Sequence, residues 1–156
     1  MLFSISCGYY SFSGRTAGDI KKIAIPYLEN ETSEPEVEIE ITQHIIDGLV
    51  NDNTLKVVSE EDADAVLEGS VIDYRNVPFT FNTDLQAEQY RLVIALKVSL
   101  FNRKENTYIW EDKRISTYAD YYLETTSGEL NSEQDAIEEV YRNIVEAILG
   151  ATIEEW

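Results

Sequence analysis

The chain has 156 residues, the size of one domain, with 44% apolar and 27% charged residues, a mix that argues against disorder and against a membrane-spanning protein. Thirty acidic residues against twelve basic ones leave a net charge of −18, and no block supplies the basic footprint that non-specific nucleic-acid binding needs. One Cys and one His exclude a disulfide framework and a zinc site built from Cys and His. They also leave His44 as the only base for a Ser-His-Asp or Cys-His arrangement.

Residues 1–10 read Met1-Leu2-Phe3-Ser4-Ile5-Ser6-Cys7-Gly8-Tyr9-Tyr10. A short apolar run ends in small residues and then the only Cys, as a bacterial lipoprotein signal does. Residues 1–7 therefore read as the remnant of such a signal, with Cys7 as the acylated residue, and residues 8–156 as one domain. Acylation would anchor the protein to a membrane without crossing it. The longest apolar run, Leu92 to Phe101, is interrupted by Lys97 and Ser99 and falls short of the roughly 20 residues of a spanning helix.

Residues 8–19 read as an extended lead-off. Ile20 to Leu28 alternates, with Ile23, Ile25 and Tyr27 on one side; it is a strand whose Pro26 marks an edge position or a strand end. Glu29 to Glu36 is a polar loop. From Glu36 to Val50 the spacing of Val37, Ile41, Ile45 and Leu49 predicts a helix with one apolar stripe, closed by Asn51-Asp52-Asn53. Thr54 to Val58 is a short strand and Glu60 to Asp64 an acidic turn. Ala65 to Val77 is a longer strand broken by Pro78, and Thr80 to Ala87 a loop.

Glu88 to Asn102 is the strongest strand pattern, with Tyr90, Leu92, Ile94, Leu96, Val98 and Leu100 on one face. Asn102 to Asn106 is a hairpin turn. Thr107 to Tyr122 is the partner strand, Tyr108 and Trp110 starting one face, Ile109 and Ile115 lying on the other. Thr125 to Asn131 is a flexible linker. Ser132 caps a last helix, with Asp135 three residues on in capping-box spacing; that helix runs to about Leu149 and stops at Gly150. The order β-α-β-β-β-β-α predicts an α+β two-layer sandwich, two helices on one face of a mixed sheet of four to five strands.

No stretch has the spacing of a phosphate loop, a nucleophile elbow or a zinc helix. The acidic runs Glu34 to Glu40 and Glu60 to Asp64 lack the spaced ligand pattern of a calcium loop and read as solvated faces. His44, at the edge of its helix's stripe, reads as a surface residue. No cofactor or metal is implied. Tyr108, Trp110, Tyr118, Tyr121 and Tyr122 make an aromatic-rich strand, readable as core or as a contact surface, because such rings present large area at little entropy cost. The bases pair at Lys21-Lys22, Arg103-Lys104 and Lys113-Arg114. The last two pairs flank one hairpin, near enough in sequence to form a local anion site.

These residues also match a known pattern. Cys7-Gly-Tyr-Tyr-Ser-Phe-Ser-Gly14 is followed by Ile20-Lys-Lys-Ile-Ala-Ile-Pro-Tyr-Leu-Glu-Asn-Glu-Thr32, a helix holding Ile41-Thr-Gln, Asn51-Asp-Asn-Thr-Leu-Lys-Val-Val58, and Ala63-Asp-Ala-Val-Leu-Glu-Gly69. The succession resembles the lipopolysaccharide-assembly lipoprotein family, LptE. The resemblance implies a non-enzymatic lipoprotein tethered by Cys7 to the outer membrane of a Gram-negative bacterium, facing the periplasm. It implies a complex with the β-barrel LptD, in which the protein assists barrel assembly and lipopolysaccharide insertion. It agrees with two helices on a four- or five-stranded sheet. The expectation is a protein that is monomeric alone and presents the five aromatic residues to the barrel. A net charge of −18 opposes an anionic glycolipid, but screening over about 8 Å leaves room for a local patch. Lys21, Lys22, Arg103, Lys104, Lys113 and Arg114 are the candidates for lipopolysaccharide contact. The same succession also resembles CsgG-like and LpoB-like periplasmic lipoproteins, a secretion-pore subunit and an activator of a peptidoglycan synthase. Those continue with strand–helix units, whereas this chain runs a long hairpin over 88–122.

Overall fold

Along the central strand, residues Leu92, Ile94, Leu96, Val98 and Leu100 are all buried on one side, so the strict alternation of this segment translates directly into a core-facing row. The computed structural model describes residues 20–123 and 132–154; Cys7 and the linker expected at 125–131 lie outside the described residues. The strands are β1 (Lys22–Ala24), β2 (Glu29–Asn30), β3 (Lys56–Val57), β4 (Ala65–Phe81), β5 (Ala87–Asn102) and β6 (Thr107–Tyr122). The helices are α1 (Val37–Asp52) and α2 (Glu133–Glu154). The sheet runs β3-β1-β4-β5-β6, with β2 also paired to β4. The first three pairings are parallel to β1 or β4, and β4-β5-β6 form an antiparallel meander.

The sandwich of two helices on a mixed sheet stands as expected, but the sheet has six strands rather than four or five. The reason lies at Pro26. The strand expected over 20–28 is shortened to Lys22–Ala24, where Ile23 and Ala24 pair with Ala65 and Val66, and a further short strand, Glu29–Asn30, forms in the expected polar loop and pairs with Ser70 and Val71 on the same flank of β4. Pro26 sits in the gap, where no ladder donor is required. It marks a strand end and not an edge, because β1 is flanked by both β3 and β4.

The α1 stripe of Val37, Ile41, Ile45 and Leu49 is buried, and Asn53 closes the helix in the left-handed region with its N–H on the Leu49 carbonyl. Ser132 and Asp135 form the reciprocal box at the start of α2: the Asp135 carboxylate accepts the Ser132 N–H at 2.9 Å, and Asp135 N–H reaches the Ser132 hydroxyl. Gly150 does not stop α2. The helix continues to Glu154 because Ala151 and Thr152 add a further buried turn, Thr152 Oγ1 donating to the Ile148 carbonyl at 2.7 Å; that burial outweighs the roughly 1 kcal/mol helix cost of glycine.

Two other expectations shift. Pro78 does not end β4, which runs on to Phe81 with irregular register beyond it. Past Val71 the strand has only β5 as a neighbour among the described residues, so a missing N–H is tolerated there. In β6, Asp112 takes a left-handed conformation (φ 51°) and makes a bulge opposite Ser99, donating its N–H to the Ser99 hydroxyl at 2.9 Å. The extra residue inverts the side-chain phase. Trp110 and Ile115, expected on opposite faces, both join the core opposite Leu100 and Leu96. Tyr108, expected beside Trp110, instead lies with Phe101, ring centroids 5.1 Å apart, because a second register shift falls between Leu100↔Trp110 and Phe101↔Tyr108.

Candidate functional site

Both helices pack on one side of the sheet, α1 over the β2-β3-β4 half and α2 over β5 and β6. Among the described residues the other side is open. Its far half is organised by Arg91, which alternates away from the buried row of β5. The guanidinium holds the Asp120 carboxylate of β6 through Nε at 2.7 Å and Nη2 at 2.8 Å, and lies 3.8 Å from the Phe79 ring centroid and 4.2 Å from that of Tyr118. The hydrogen bonds from Arg91 hold the Asp120 carboxyl below the usual carboxylate range. The cation is thus neutralised and sandwiched between rings, and what faces outward is aromatic: Phe79 is 47% exposed and Tyr118 56%. Val77 stands opposite Arg91 in the register and is also exposed.

The near half of the open side is a shallow trough of about 510 Å³ floored by Gly69, Ser70 and Ser99. The Tyr108 hydroxyl donates to Glu68 at 2.8 Å and the Ser70 hydroxyl to Glu31 at 2.6 Å. Tyr27 stands exposed at its rim.

The expected aromatic group is divided by the fold. Tyr118 and Tyr108 belong to the open side. Trp110 and Tyr121 are spent on the core, Tyr121 stacked on Tyr90 with its hydroxyl accepting from Asn76 Nδ2 at 2.7 Å. The buried Trp110 indole N–H has no hydrogen-bond partner among the described residues. Tyr122 is half-buried, beside the β4–β5 turn.

The bases divide too. Lys21, Lys22, Arg103 and Lys104 gather at one end of the sheet around a residue not singled out by sequence, Asp64. Its carboxylate accepts the backbone N–H groups of Lys21 and Lys22 at 2.9 and 3.0 Å and pairs with Lys104 Nζ at 3.1 Å, while Arg103 donates to the Glu60 carbonyl. The Lys21 N–H, above all, lowers the Asp64 pKa from its ordinary value. Lys113 and Arg114 do not join this end. They lie opposite Val98 and Lys97, about five strand residues or roughly 16 Å from the turn. They also point to opposite sides, with the Lys113 ammonium 5.6 Å from the Trp110 ring centroid.

His44 is half-buried on α1, its Nδ1 2.9 Å from the Glu40 carbonyl oxygen, its Nε2 3.5 Å from Glu138, and its ring 4.7 Å from that of Tyr141. This is a bridge between helices, with no nucleophile in its contacts among the described residues. Among the described residues no group of three His, Cys, Asp or Glu side chains converges as a metal set, and no helix is long and apolar enough to cross a membrane. The arrangement is suited to surface recognition. Sequence reasoning missed Phe79, Arg91 and Asp120; the parity of Arg91 against Leu92 was the available signal, but Phe79 lies beyond Pro78, where the strand was expected to have ended.

Comparison with known proteins agrees with this architecture. The chain resembles, in fold, the uncharacterized lipoprotein B from Nitrosomonas europaea (12% identity, TM-score 0.60, covering 83% of this chain and 80% of that one). It also resembles a minor lipoprotein from Acinetobacter baumannii (15%, 0.57, 86% and 94%) and the PelC dodecamer from Paraburkholderia phytofirmans (14%, 0.55, 85% and 87%). A search of the curated proteins gives no match. The model of the LptE lipopolysaccharide-assembly family matches residues 20–151, nearly all of the described structure, and the chain belongs to that family.

Proposed function

We propose that the protein is a non-enzymatic lipoprotein of the outer membrane, tethered by Cys7 on the periplasmic side. There it joins an LptD-type β-barrel and assists barrel assembly and the insertion of lipopolysaccharide into the outer leaflet. The family match over residues 20–151 carries this reading. The open side of the sheet supports it: rings exposed around an internally neutralised Arg91–Asp120 pair suit contact with a protein wall, since aromatic groups bury large area with few rotamers to fix. We assign the barrel contact to Tyr118 and Phe79 in the far half of the open side, with Tyr108 in the near half, and leave Trp110 and Tyr121 to the core. Lipopolysaccharide contact is assigned to the end where Lys21, Lys22, Arg103 and Lys104 gather.

The test is recovery of the tagged full-length protein from outer membranes after cross-linking in the cell. An LptD-type barrel should co-purify, and recovery should fall at least tenfold in a Phe79→Ala/Tyr118→Ala variant that melts like wild type. Recovery of a secretion-pore oligomer or a peptidoglycan synthase in its place would overturn the barrel reading in favour of the CsgG- and LpoB-like alternative.

A further inference from the structure

Among the described residues, strand β6 forms one edge of the sheet, and its two halves are unlike. From Thr107 to Arg114 it carries the features that blunt an edge against pairing: the bulge at Asp112, then Lys113 and Arg114. From Ile115 to Tyr122 it carries none. The register against β5 is unbroken from Leu96↔Ile115 to Gln89↔Tyr122, and the residues are Ile, Ser, Thr, Tyr, Ala, Asp, Tyr and Tyr. The one charge, Asp120, is already held by Arg91. Such a segment is a template for another strand.

The helix above leaves room for one. Val145 of α2 abuts Gly48 of α1. At 100° per residue the opposite flank of α2 presents Asn143, Ala147 and Gly150, on the β6 side because α2 lies over β5 and β6. These residues are only half-buried, and a Cβ added at Gly150 would meet nothing within 4 Å. Continuing round that flank come Glu139 and Glu146, with Arg142 one turn from each on the solvent side.

We propose that the Ile115–Tyr122 edge, together with the Ala147–Gly150 flank of α2, receives one extended, basic strand of a partner polypeptide. Main-chain hydrogen bonds would extend the sheet, and lysine or arginine side chains would meet Glu139 and Glu146. Charge selects this occupant: two copies pairing edge to edge would bring together two chains of net charge −18 with their acidic α2 flanks facing. The inference concerns the mode of attachment and holds whichever protein supplies the strand.

The probe is a capped octapeptide of alternating Lys and Val, with a Glu/Val peptide as its counterpart, added to the full chain while backbone hydrogen exchange is followed. The Lys/Val peptide should slow exchange of amides within 115–122 at least tenfold, lose most of that effect at 0.5 M salt, and leave β3 unchanged. Successive strand amides point to opposite sides, so one of Thr117→Pro and Tyr118→Pro removes an outward amide; the variant that melts like wild type should lose the protection. No protection, protection only elsewhere, equal protection by the Glu/Val peptide, or a dimer that protects these amides without peptide would each overturn the proposal.

Discussion

Gly48 of α1 faces Val145 of α2 so closely that a Cβ on the glycine would overlap Val145 Cγ1. The glycine therefore sets the spacing of the helix layer. On helix propensity alone Gly48→Ala would gain up to about 1 kcal/mol, but pushing two packed helices apart costs about 1–3 kcal/mol. We expect a net loss of about 1–2 kcal/mol by urea unfolding, recovered in part when Val145→Ala is combined with it. A stabilised single variant would show that the layer yields freely.

Gly69 in β4 makes the same point with less tolerance. A Cβ there would overlap the Lys97 carbonyl oxygen and lie 2.8 Å from Val98 Cα. Both are backbone atoms of the paired strand β5, which cannot rotate out of the way as a side chain can. Gly69→Ala should therefore cost more than Gly48→Ala, about 3 kcal/mol, and the order of the two midpoints in one denaturant series is the measurement. The reverse order would place the tighter constraint between the helices.

Hydrophobic period carried most of the architecture because it reports burial directly: the β5 row and the stripe of α1 sit where their spacing places them. The misplacements share a cause, a backbone event that period cannot encode. The bulge at Asp112 inverts the phase of β6 between Trp110 and Ile115, the first strand stops short of Pro26, and Pro78 and Gly150 are overridden by their surroundings. The site was less legible for a related reason. Asp64 reads as one acid in an acidic turn until the fold brings the Lys21 and Lys22 amides onto its carboxylate, and Arg91 reads as one base in an apolar strand until Phe79, Tyr118 and Asp120 converge on it.

Both ends of the pH scale should weaken the fold, through different groups. Asp64 and Asp120 are held below the usual carboxylate range, Asp64 first by the Lys21 N–H and Asp120 by Arg91. A depressed folded-state pKa contributes stability that is present above the unfolded value, near 3.9, and is lost as pH falls through the lower folded value. Tyr141 is the opposite case. Burial, then its hydrogen bond to Glu40, pushes its hydroxyl well above the ordinary tyrosine value; that stability is present below about pH 10 and lost as pH rises beyond it. Asp64→Asn should cost about 1–3 kcal/mol at pH 7, and the gap from wild type should narrow below about pH 4. A gap that stays constant to pH 2.5 would mean that the Asp64 charge contributes nothing.

Leu85 sits at the β4–β5 turn with φ 62° and is 84% exposed. Its neighbours fix that geometry: the Asn82 side-chain oxygen accepts the N–H groups of Asp84 and Gln86 at 2.9 Å each, and Leu85 N–H reaches the Asn82 carbonyl. A left-handed conformation costs an ordinary residue about 1–2 kcal/mol, and here no burial offsets it. Asn tolerates this region because its short side chain bonds locally. Leu85→Asn should therefore stabilise the fold by about 1 kcal/mol, a rise of roughly 2–4 °C in Tm for a chain of this size. Backbone strain that persists at an exposed apolar tip points to use, and the tip adjoins Phe81 and Leu123, both more than half exposed. The same variant should then yield less barrel in the cross-linking recovery even though it is more stable. Gain of stability with undiminished recovery would remove the turn from the docking surface and leave contact to Phe79 and Tyr118.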